Sequence, residues 1–378
     1  MNCRNAIGSD FDSKNARESI LEVDGSVPSE RPGVRTGRDR SLWLNLARIL
    51  FSIVLLWILL RTVALSELVQ FLAEGVRRWP FLVVAFALPA LGVLVSALRW
   101  RVLLAAHGLS ISIPRLAEAV LIGTYYNQFL PSTIGGDVVR SWWVTGGGSS
   151  RSGDKDRSES TLFNIAIVAV DRLMGIHGIF AMAFLAAVVS PSIGEKIPAI
   201  WGLLALMAAG IVAVGLLAYL PTRSVGRWFA SHGALRKFRE KAGTVYGALE
   251  RYRKRKGHLM FAILLSMGLQ VLLIAQYWAL AAAFGIHVSI WSLAVIVPIV
   301  NLISLIPVAI NGIGVRENAL ALLGAPIGLA PSGAIAVAWG FLFATFVYAI
   351  VGGVLHLRGR RLRAPIVASV PQAGSEHE

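Results

Sequence analysis

Six ionisable side chains interrupt long apolar stretches of this chain, and they fall in three short motifs. The motifs are NQFLPSTIGGDVVR at 127–140, DRLMG at 171–175 and PVAINGIGVRE at 307–317. An ionised side chain at the centre of a membrane helix costs about 2.5–3.5 kcal/mol, so it faces the bundle interior and commonly marks a pathway for a substrate or ion. Arginine beside a helix N-terminus suits phosphate, because its planar fork and the unpaired N–H groups both favour anions. The motifs therefore predict a site that handles a phosphate-bearing ligand.

Two of the motifs also predict a break between two short helices. Pro131 and Pro307 each end a half-helix, because proline supplies no N–H and clashes with the preceding turn. Glycines then permit the turn, and the next half-helix starts near Asp137 in the first motif and near Arg316 in the second. The glycines expected to have this structural role are Gly135, Gly136, Gly312 and Gly314.

The charged residues have two interpretations. Because the six charges sum to zero, one interpretation is a structural network that pins the broken helices to the bundle. The other is a network that also contacts an ionic substrate, and it is favoured because intramembrane ionisable residues more often mark pathways. Asp171 and Arg172 are adjacent, so they point about 100° apart on a helix and should bond other partners than each other. The predicted substrate-binding residues are Asn127, Asp137, Arg140, Asp171, Arg172, Arg316 and Glu317.

The elements that hold these motifs are those of an all-α integral membrane protein. Hydrophobic residues make up 56% of the 378, charged residues only 15%, and the mean hydropathy is +0.66. A membrane helix needs roughly 20 apolar residues, and about six full spans are predicted, at 42–61, 79–98, 161–189, 198–220, 258–284 and 331–356. Hydropathy alone leaves open whether two further segments, 114–130 and 289–306, cross the membrane.

Positive charge decides the status of these two segments, because Lys and Arg in short loops stay on the cytoplasmic side. Residues 221–257 carry eleven Lys/Arg against two Glu, and RGRRLR follows at 358–363. Both stretches therefore lie on the cytoplasmic side, so the chain between them crosses the membrane an even number of times. The spans 258–284 and 331–356 already give two crossings, so 289–306 is re-entrant. The same argument, applied between the arginines from Arg99 to Arg115 and the 221–257 stretch, makes 114–130 re-entrant. The prediction is an inverted repeat of two halves, each with three spans and one re-entrant hairpin, with both termini in the cytoplasm.

The remaining segments are predicted to carry no chemistry. Residues 1–40 and 364–378 read as disordered tails around a membrane domain at 41–363. The basic segment 221–257 is expected to bind an anionic membrane surface, not nucleic acid, because it lacks a nucleic-acid-binding motif. Cys3 is the only cysteine, the histidines are isolated and no P-loop is present, so neither a metal nor a cofactor is predicted.

The three motifs, in this order and spacing, resemble the lysylphosphatidylglycerol synthase transmembrane-region family of flippase-like membrane proteins. The resemblance covers about 41–358, and the NGIGVRE element is its most specific part. It implies translocation of lipids between leaflets. Only 15 residues follow Arg363, so we expect no soluble aminoacyl-transferase domain, and the resemblance does not identify the cargo.

The sequence thus predicts a lipid translocase of the bacterial cytoplasmic membrane that moves, or helps to move, an anionic or phosphate-bearing lipid. Two alternatives remain open at this stage. One is a membrane-embedded enzyme that acts on lipid phosphate or a prenyl-phosphate donor, with the carboxylates as bases or Mg²⁺ ligands. The other is an accessory subunit that partners a lipid-synthesis enzyme.

Overall fold

The computed structural model describes residues 65–129, 135–144, 154–198, 200–206, 255–305 and 309–359, together with single positions at 50, 54, 57, 61, 208, 209 and 212. This part of the chain is helical with short connections and contains no strand. Its helices are α1 (Leu65–Arg77), α2 (Trp79–Ala105), α3 (Ile113–Phe129), α4 (Gly135–Val144), α5 (Asp154–Val189), α6 (Pro191–Lys196), α7 (Lys256–Ala283), α8 (Ile290–Ser304), α9 (Val315–Gly324) and α10 (Pro331–Gly359).

Four of these helices contain segments that are long and apolar enough to cross a membrane. The segments are Trp79–Ala105, Ile167–Val189, Gly257–Ala283 and Pro331–Arg358, and they match the predicted spans at 79–98, 161–189, 258–284 and 331–356. Leucine, valine and phenylalanine side chains remain exposed along them, which is expected where lipid replaces water as the solvent. Most of the predicted spans at 42–61 and 198–220 lies outside the described residues, as do the predicted tails and nearly all of 221–257.

The two doubtful segments form helices that are short for a crossing. Helices α3 and α8 have 17 and 15 residues, below the roughly 20 that a span needs. Each is followed by a short second helix, α4 or α9, that packs against it; we name α3 and α4 the first helix pair, and α8 and α9 the second. The predicted helix-ending prolines, Pro131 and Pro307, lie outside the described residues.

The turn of the second helix pair explains the need for its glycines. Gly312 and Gly314 have φ values of 71° and 83°, a left-handed region that glycine adopts without strain. Asn311, with φ 51°, occupies the same region, which asparagine tolerates better than most residues. The Glu317 side chain then accepts a hydrogen bond from the Gly314 N–H at 2.7 Å, so that one unpaired donor at the start of α9 is satisfied.

The packing of the helices is reciprocal. Helices α2 and α7 pack along each other at the centre, α3 packs on α10, and α8 packs on α5. The first helix pair therefore contacts the last helix of the second half, and the second pair contacts α5 of the first half. A Cβ at Gly352 of α10 would overlap the backbone of Leu121 in α3, which shows how closely these two helices approach.

Candidate functional site

The charged site is organised around Asp171, which is 2% exposed. Arg99 of α2 binds this carboxylate through two nitrogens, at 2.9 Å from Nε to Oδ1 and 3.1 Å from Nη2 to Oδ2. Arg140 of α4 reaches the Oδ2 atom from the other side at 2.5 Å. Two guanidinium groups from different helices thus share one buried carboxylate, which compensates the cost of removing all three charges from water.

Asp137 and Arg172 extend this network to its edge. The Arg172 guanidinium donates through Nε and Nη2 to Asp137 Oδ2, and Arg140 Nε lies 3.4 Å from Asp137 Oδ1. Asp171 and Arg172 therefore bind different partners, as their helical spacing predicts. The Arg172 side chain is 38% exposed, whereas Asp137 is nearly buried, so the network runs from the interior toward an accessible surface.

Sequence reasoning missed the contribution of α2 and α7 to this network. Arg99 entered the prediction only as a charge that orients the membrane topology. In the structure it is buried and also donates to Ser266 Oγ of α7 at 3.0 Å, while the Trp100 ring lies 4.8 Å below the Arg140 guanidinium. The helical spacing of Arg99 and Leu103, both on the buried face of α2, was a signal that could have identified it.

With Arg99 included, the network is no longer neutral. We define the Asp171 network as Arg99, Asp137, Arg140, Asp171 and Arg172, which carries three positive and two negative charges. Its formal charge is +1. This charge is counted over five described residues, whereas the six residues singled out from sequence sum to zero.

Gly136 and Asn127 shape the backbone of the first helix pair. The Asn127 Oδ1 atom accepts a hydrogen bond from the Gly136 N–H at 3.0 Å, so the side chain of α3 satisfies a free donor at the start of α4. A Cβ at Gly136 would overlap both the Gly123 carbonyl and the Asn127 side chain. Asn127 acts on local backbone here, and Gly136 is required for the close approach of the two helices.

Arg316 and Glu317 lie apart from this network, in the second helix pair. Arg316 is 9% exposed and stacks over the Phe341 ring at 4.7 Å, and among the described residues it forms no ion pair with a carboxylate. Glu317 is fully buried, and its Oε1 atom has no hydrogen-bond partner in the described part of the chain. A buried guanidinium without an ionic partner is costly unless another anion binds it.

The two charged groups occupy different levels along α7. Ser266 contacts Arg99, whereas the Tyr277 ring lies 5.2 Å from Phe341, over which Arg316 stacks. Eleven residues separate Ser266 from Tyr277, which is about 16 Å along an α-helix. The site residues predicted from sequence thus form two separate groups, one in each half of the chain.

The connection between the two helix pairs is a side-chain hydrogen bond. Asn311 Nδ2 of the second pair donates to Gln128 Oε1 of the first pair at 2.5 Å. The predicted site residues included neither Asn311 nor Gln128. The contact shows that the end of α3 lies beside the turn at Ile310–Gly312, which precedes α9.

Comparisons with known proteins agree with this architecture. The family described as "Lysylphosphatidylglycerol synthase TM region" matches residues 45–352. The chain is also 23% identical over 338 residues to the UPF0104 membrane protein PH1989 of Pyrococcus horikoshii, with 83% of this chain and 97% of that protein covered. No solved structure matches the chain. Since the family match covers most of the sequence and all three charged motifs, this multi-pass membrane protein belongs to the lysylphosphatidylglycerol synthase transmembrane-region family.

Proposed function

We propose that the protein is a flippase-like translocase that moves a phosphate-bearing lipid between the two leaflets of the membrane. The headgroup passes the two charged groups while the hydrocarbon chains stay in the bilayer. The observation that carries the proposal is the Asp171 network, in which three arginines meet two aspartates; Arg99 and Arg140 are buried, and Arg172 is 38% exposed at the edge. A phosphate is the anion that arginine binds best, because its oxygens match the guanidinium fork.

The separation of the two groups supports transport between leaflets. Arg316 lies about 16 Å from the level of Arg99, as measured along α7, so the two cationic points are at different depths. The reciprocal packing of α3 on α10 and α8 on α5 supports an inverted repeat with two re-entrant hairpins, in which each half supplies one cationic point to one leaflet. Six full spans and cytoplasmic termini complete the proposed topology.

The engagement of the carboxylates favours transport over lipid-phosphate chemistry. Asp171 is held by two arginines and Asp137 by Arg140 and Arg172. A carboxylate held in this way is a poor general base and a poor Mg²⁺ ligand, because the arginines already occupy its oxygens. These aspartates instead hold the arginines in place for an incoming phosphate.

The proposed cellular setting follows from charge. The basic segment 221–257 would lie against the anionic inner surface of the cytoplasmic membrane, and a lipid-synthesis enzyme is the natural partner to supply or consume the cargo. Buried Glu317, which forms no ion pair among the described residues, leaves proton coupling as a source of energy, and the membrane potential is another.

Arg316 gives the sharpest test of the proposal, because it has no described ionic partner to lose. In proteoliposomes with acyl-chain-labelled phosphatidylglycerol, Arg316→Gln should slow transfer at least about tenfold, since it removes a charged hydrogen bond worth about 1.5–3 kcal/mol. Arg316→Lys should retain partial activity, because lysine keeps the charge but loses the two-pronged geometry. The readout is loss of label fluorescence when a membrane-impermeant quencher is added.

The controls separate phosphate handling from folding. A labelled galactosyl diglyceride, which has no phosphate, should respond little to either Arg316 variant. Arg140→Lys should also reduce transfer, whereas Arg140→Gln should lower stability too, because it releases Asp171. Wild-type rates of phosphatidylglycerol transfer in both Arg316→Gln and Arg140→Gln would make the arginines purely structural and would refute the proposal.

A further inference from the structure

A cavity of about 260 Å³ lies beside the middle of helices α2 and α7. Pro89 and Gly92, near the midpoint of α2, form one wall, and Asn301 of α8 closes another side. The residues of α7 that line it are Leu269, Gln270, Leu272, Leu273 and Gln276. By its place along these two membrane helices the cavity lies near the middle of the bilayer.

Two buried glutamine side chains line this cavity, and each has an amide atom without a hydrogen-bond partner among the described residues. Gln270 is 7% exposed and Gln276 is 4% exposed. The Gln270 Oε1 acceptor and the Gln276 Nε2 donor are buried, and neither has a partner among the described residues. Leaving such an atom unpaired costs about 1–3 kcal/mol, so native proteins usually satisfy it with water or a ligand. Together the two amides require a group that can both donate and accept.

The cavity lies between the two charged groups. Gln270 is one helical turn from Ser266, which binds Arg99, and Gln276 precedes Tyr277, whose ring contacts the Phe341 ring under Arg316. A phosphate held at either charged group would therefore lie within about two helical turns of the cavity along α7. Among the residues that the structure describes, no charged side chain lines the cavity, so it suits the uncharged part of a headgroup.

We propose that this amide cavity binds the hydroxyl groups of an uncharged headgroup, such as glycerol or a sugar, that is attached to the phosphate of the lipid cargo. A hydroxyl donates one hydrogen bond and accepts others, so it can satisfy the Gln270 oxygen and the Gln276 nitrogen together. The volume of about 260 Å³ is enough for such a group. This inference rests on the proposed function and narrows its substrate to phospholipids with a hydroxylated headgroup.

Water is the other source of hydroxyl groups, so the test must distinguish bound water from bound headgroup. The experiment measures the melting temperature of the purified full-length protein in detergent, with phosphatidylglycerol or with phosphatidic acid added. Both lipids carry a phosphate, but only phosphatidylglycerol carries a glycerol headgroup. A ligand that binds the folded state raises the melting temperature, so phosphatidylglycerol should stabilise the wild-type protein more than phosphatidic acid does.

The variants are Gln270→Met and Gln276→Met, which remove the amides at similar volume. We expect each to abolish the difference between the two lipids while leaving the lipid-free melting temperature equal or higher, because an unpaired buried polar group is removed. Leu273→Met is the matched control, since Leu273 lines the same cavity without a polar atom. It should retain the wild-type preference for phosphatidylglycerol.

The outcomes separate this inference from the proposed function. Equal stabilisation of the wild-type protein by both lipids would overturn the headgroup site and leave a water-filled cavity. A preference that survives in both glutamine variants, or a lower lipid-free melting temperature in both, would overturn it in favour of a structural role. If the wild-type protein moves no lipid in proteoliposomes but shows the preference and loses it in the variants, the transport proposal fails and the headgroup site stands.

Discussion

Asp171 is the single side chain on which the charged network depends. Replacing it with Asn should leave Arg99 buried without a counter-ion and Arg140 with Asp137 alone, and breaking a buried pair in this way typically costs about 3–5 kcal/mol. The expected result is a clearly lower unfolding temperature in detergent, together with reduced transport. Chemical unfolding followed by tryptophan fluorescence checks the first part, because Trp100 lies against Arg140.

Glu74 provides the matched control for this substitution. It forms ion pairs with Arg77 and Arg78 at the exposed end of α1, where such pairs contribute about 0–1 kcal/mol. Glu74→Gln should therefore leave the unfolding temperature almost unchanged. If Asp171→Asn is as stable as the wild-type protein yet inactive, Asp171 is a substrate or proton site and its structural assignment is wrong.

Individual residues also show which contacts could and could not be predicted from the sequence. The charges of Asp171 and Arg172 within an apolar stretch were sufficient to predict that each needs its own partner, and both partners exist. The identity of those partners was only partly predictable: Arg99 sits next to Trp100 and Arg101 at the end of a span, where positive charge is common for reasons of topology. Burial decides between the two roles, and burial depends on which face of α2 meets α5.

At the scale of elements, the contact between α3 and α10 can be tested with two glycines. Gly352→Ala should destabilise the protein by about 1–3 kcal/mol, because the added methyl group would overlap the backbone around Leu121. Gly268→Ala on α7 is the control: a Cβ there meets nothing within 4 Å. Since alanine favours helix by up to about 1 kcal/mol, this control should be neutral or stabilising in the same unfolding measurement.

The contact between the ends of the helix pairs can be tested by crosslinking. In a Cys3→Ser background, cysteines at Gln128 and Asn311 should be joined by a short bifunctional thiol reagent, because these side chains are hydrogen-bonded at 2.5 Å. A Gln128→Cys protein with its second cysteine at Trp291, near the other end of α8, should not be joined. The crosslink is read as a mobility shift after cleavage of the chain between the two sites. Equal crosslinking of both proteins would contradict the arrangement.

The helix breaks could be predicted from local sequence chemistry, whereas the packing of the helices could not. Proline and glycine act on the backbone within one turn, so the starts of α4 and α9 near Asp137 and Arg316 agree with the prediction. The contacts of α3 with α10 and of Gln128 with Asn311 join residues about 180–230 positions apart, and no local pattern encodes such a pairing. The amide cavity was missed for the same reason, because it forms only where three helices meet.

At the scale of the whole molecule, the proposed topology predicts which positions a membrane-impermeant thiol reagent reaches. In the Cys3→Ser background, single cysteines at Ser149, Ser231 and Ser369 should be labelled only from the cytoplasmic side. A cysteine at Ser192, in the exposed first turn of α6, should be labelled from the periplasmic side. Labelling of the Ser231 and Ser369 positions from opposite sides would mean that an odd number of crossings separates them, and the inverted repeat would be wrong.

The reciprocal packing also governs the order in which the protein can be made. Helix α3 leaves the ribosome about 200 residues before α10 begins, and at 5–20 residues per second this interval lasts roughly 10–40 s. Throughout that time the first helix pair, with its charged network, has no α10 to cover it. The membrane insertion machinery or a chaperone must shield this surface, and a truncated chain that ends before Pro331 will keep it exposed for quality-control proteases to recognise.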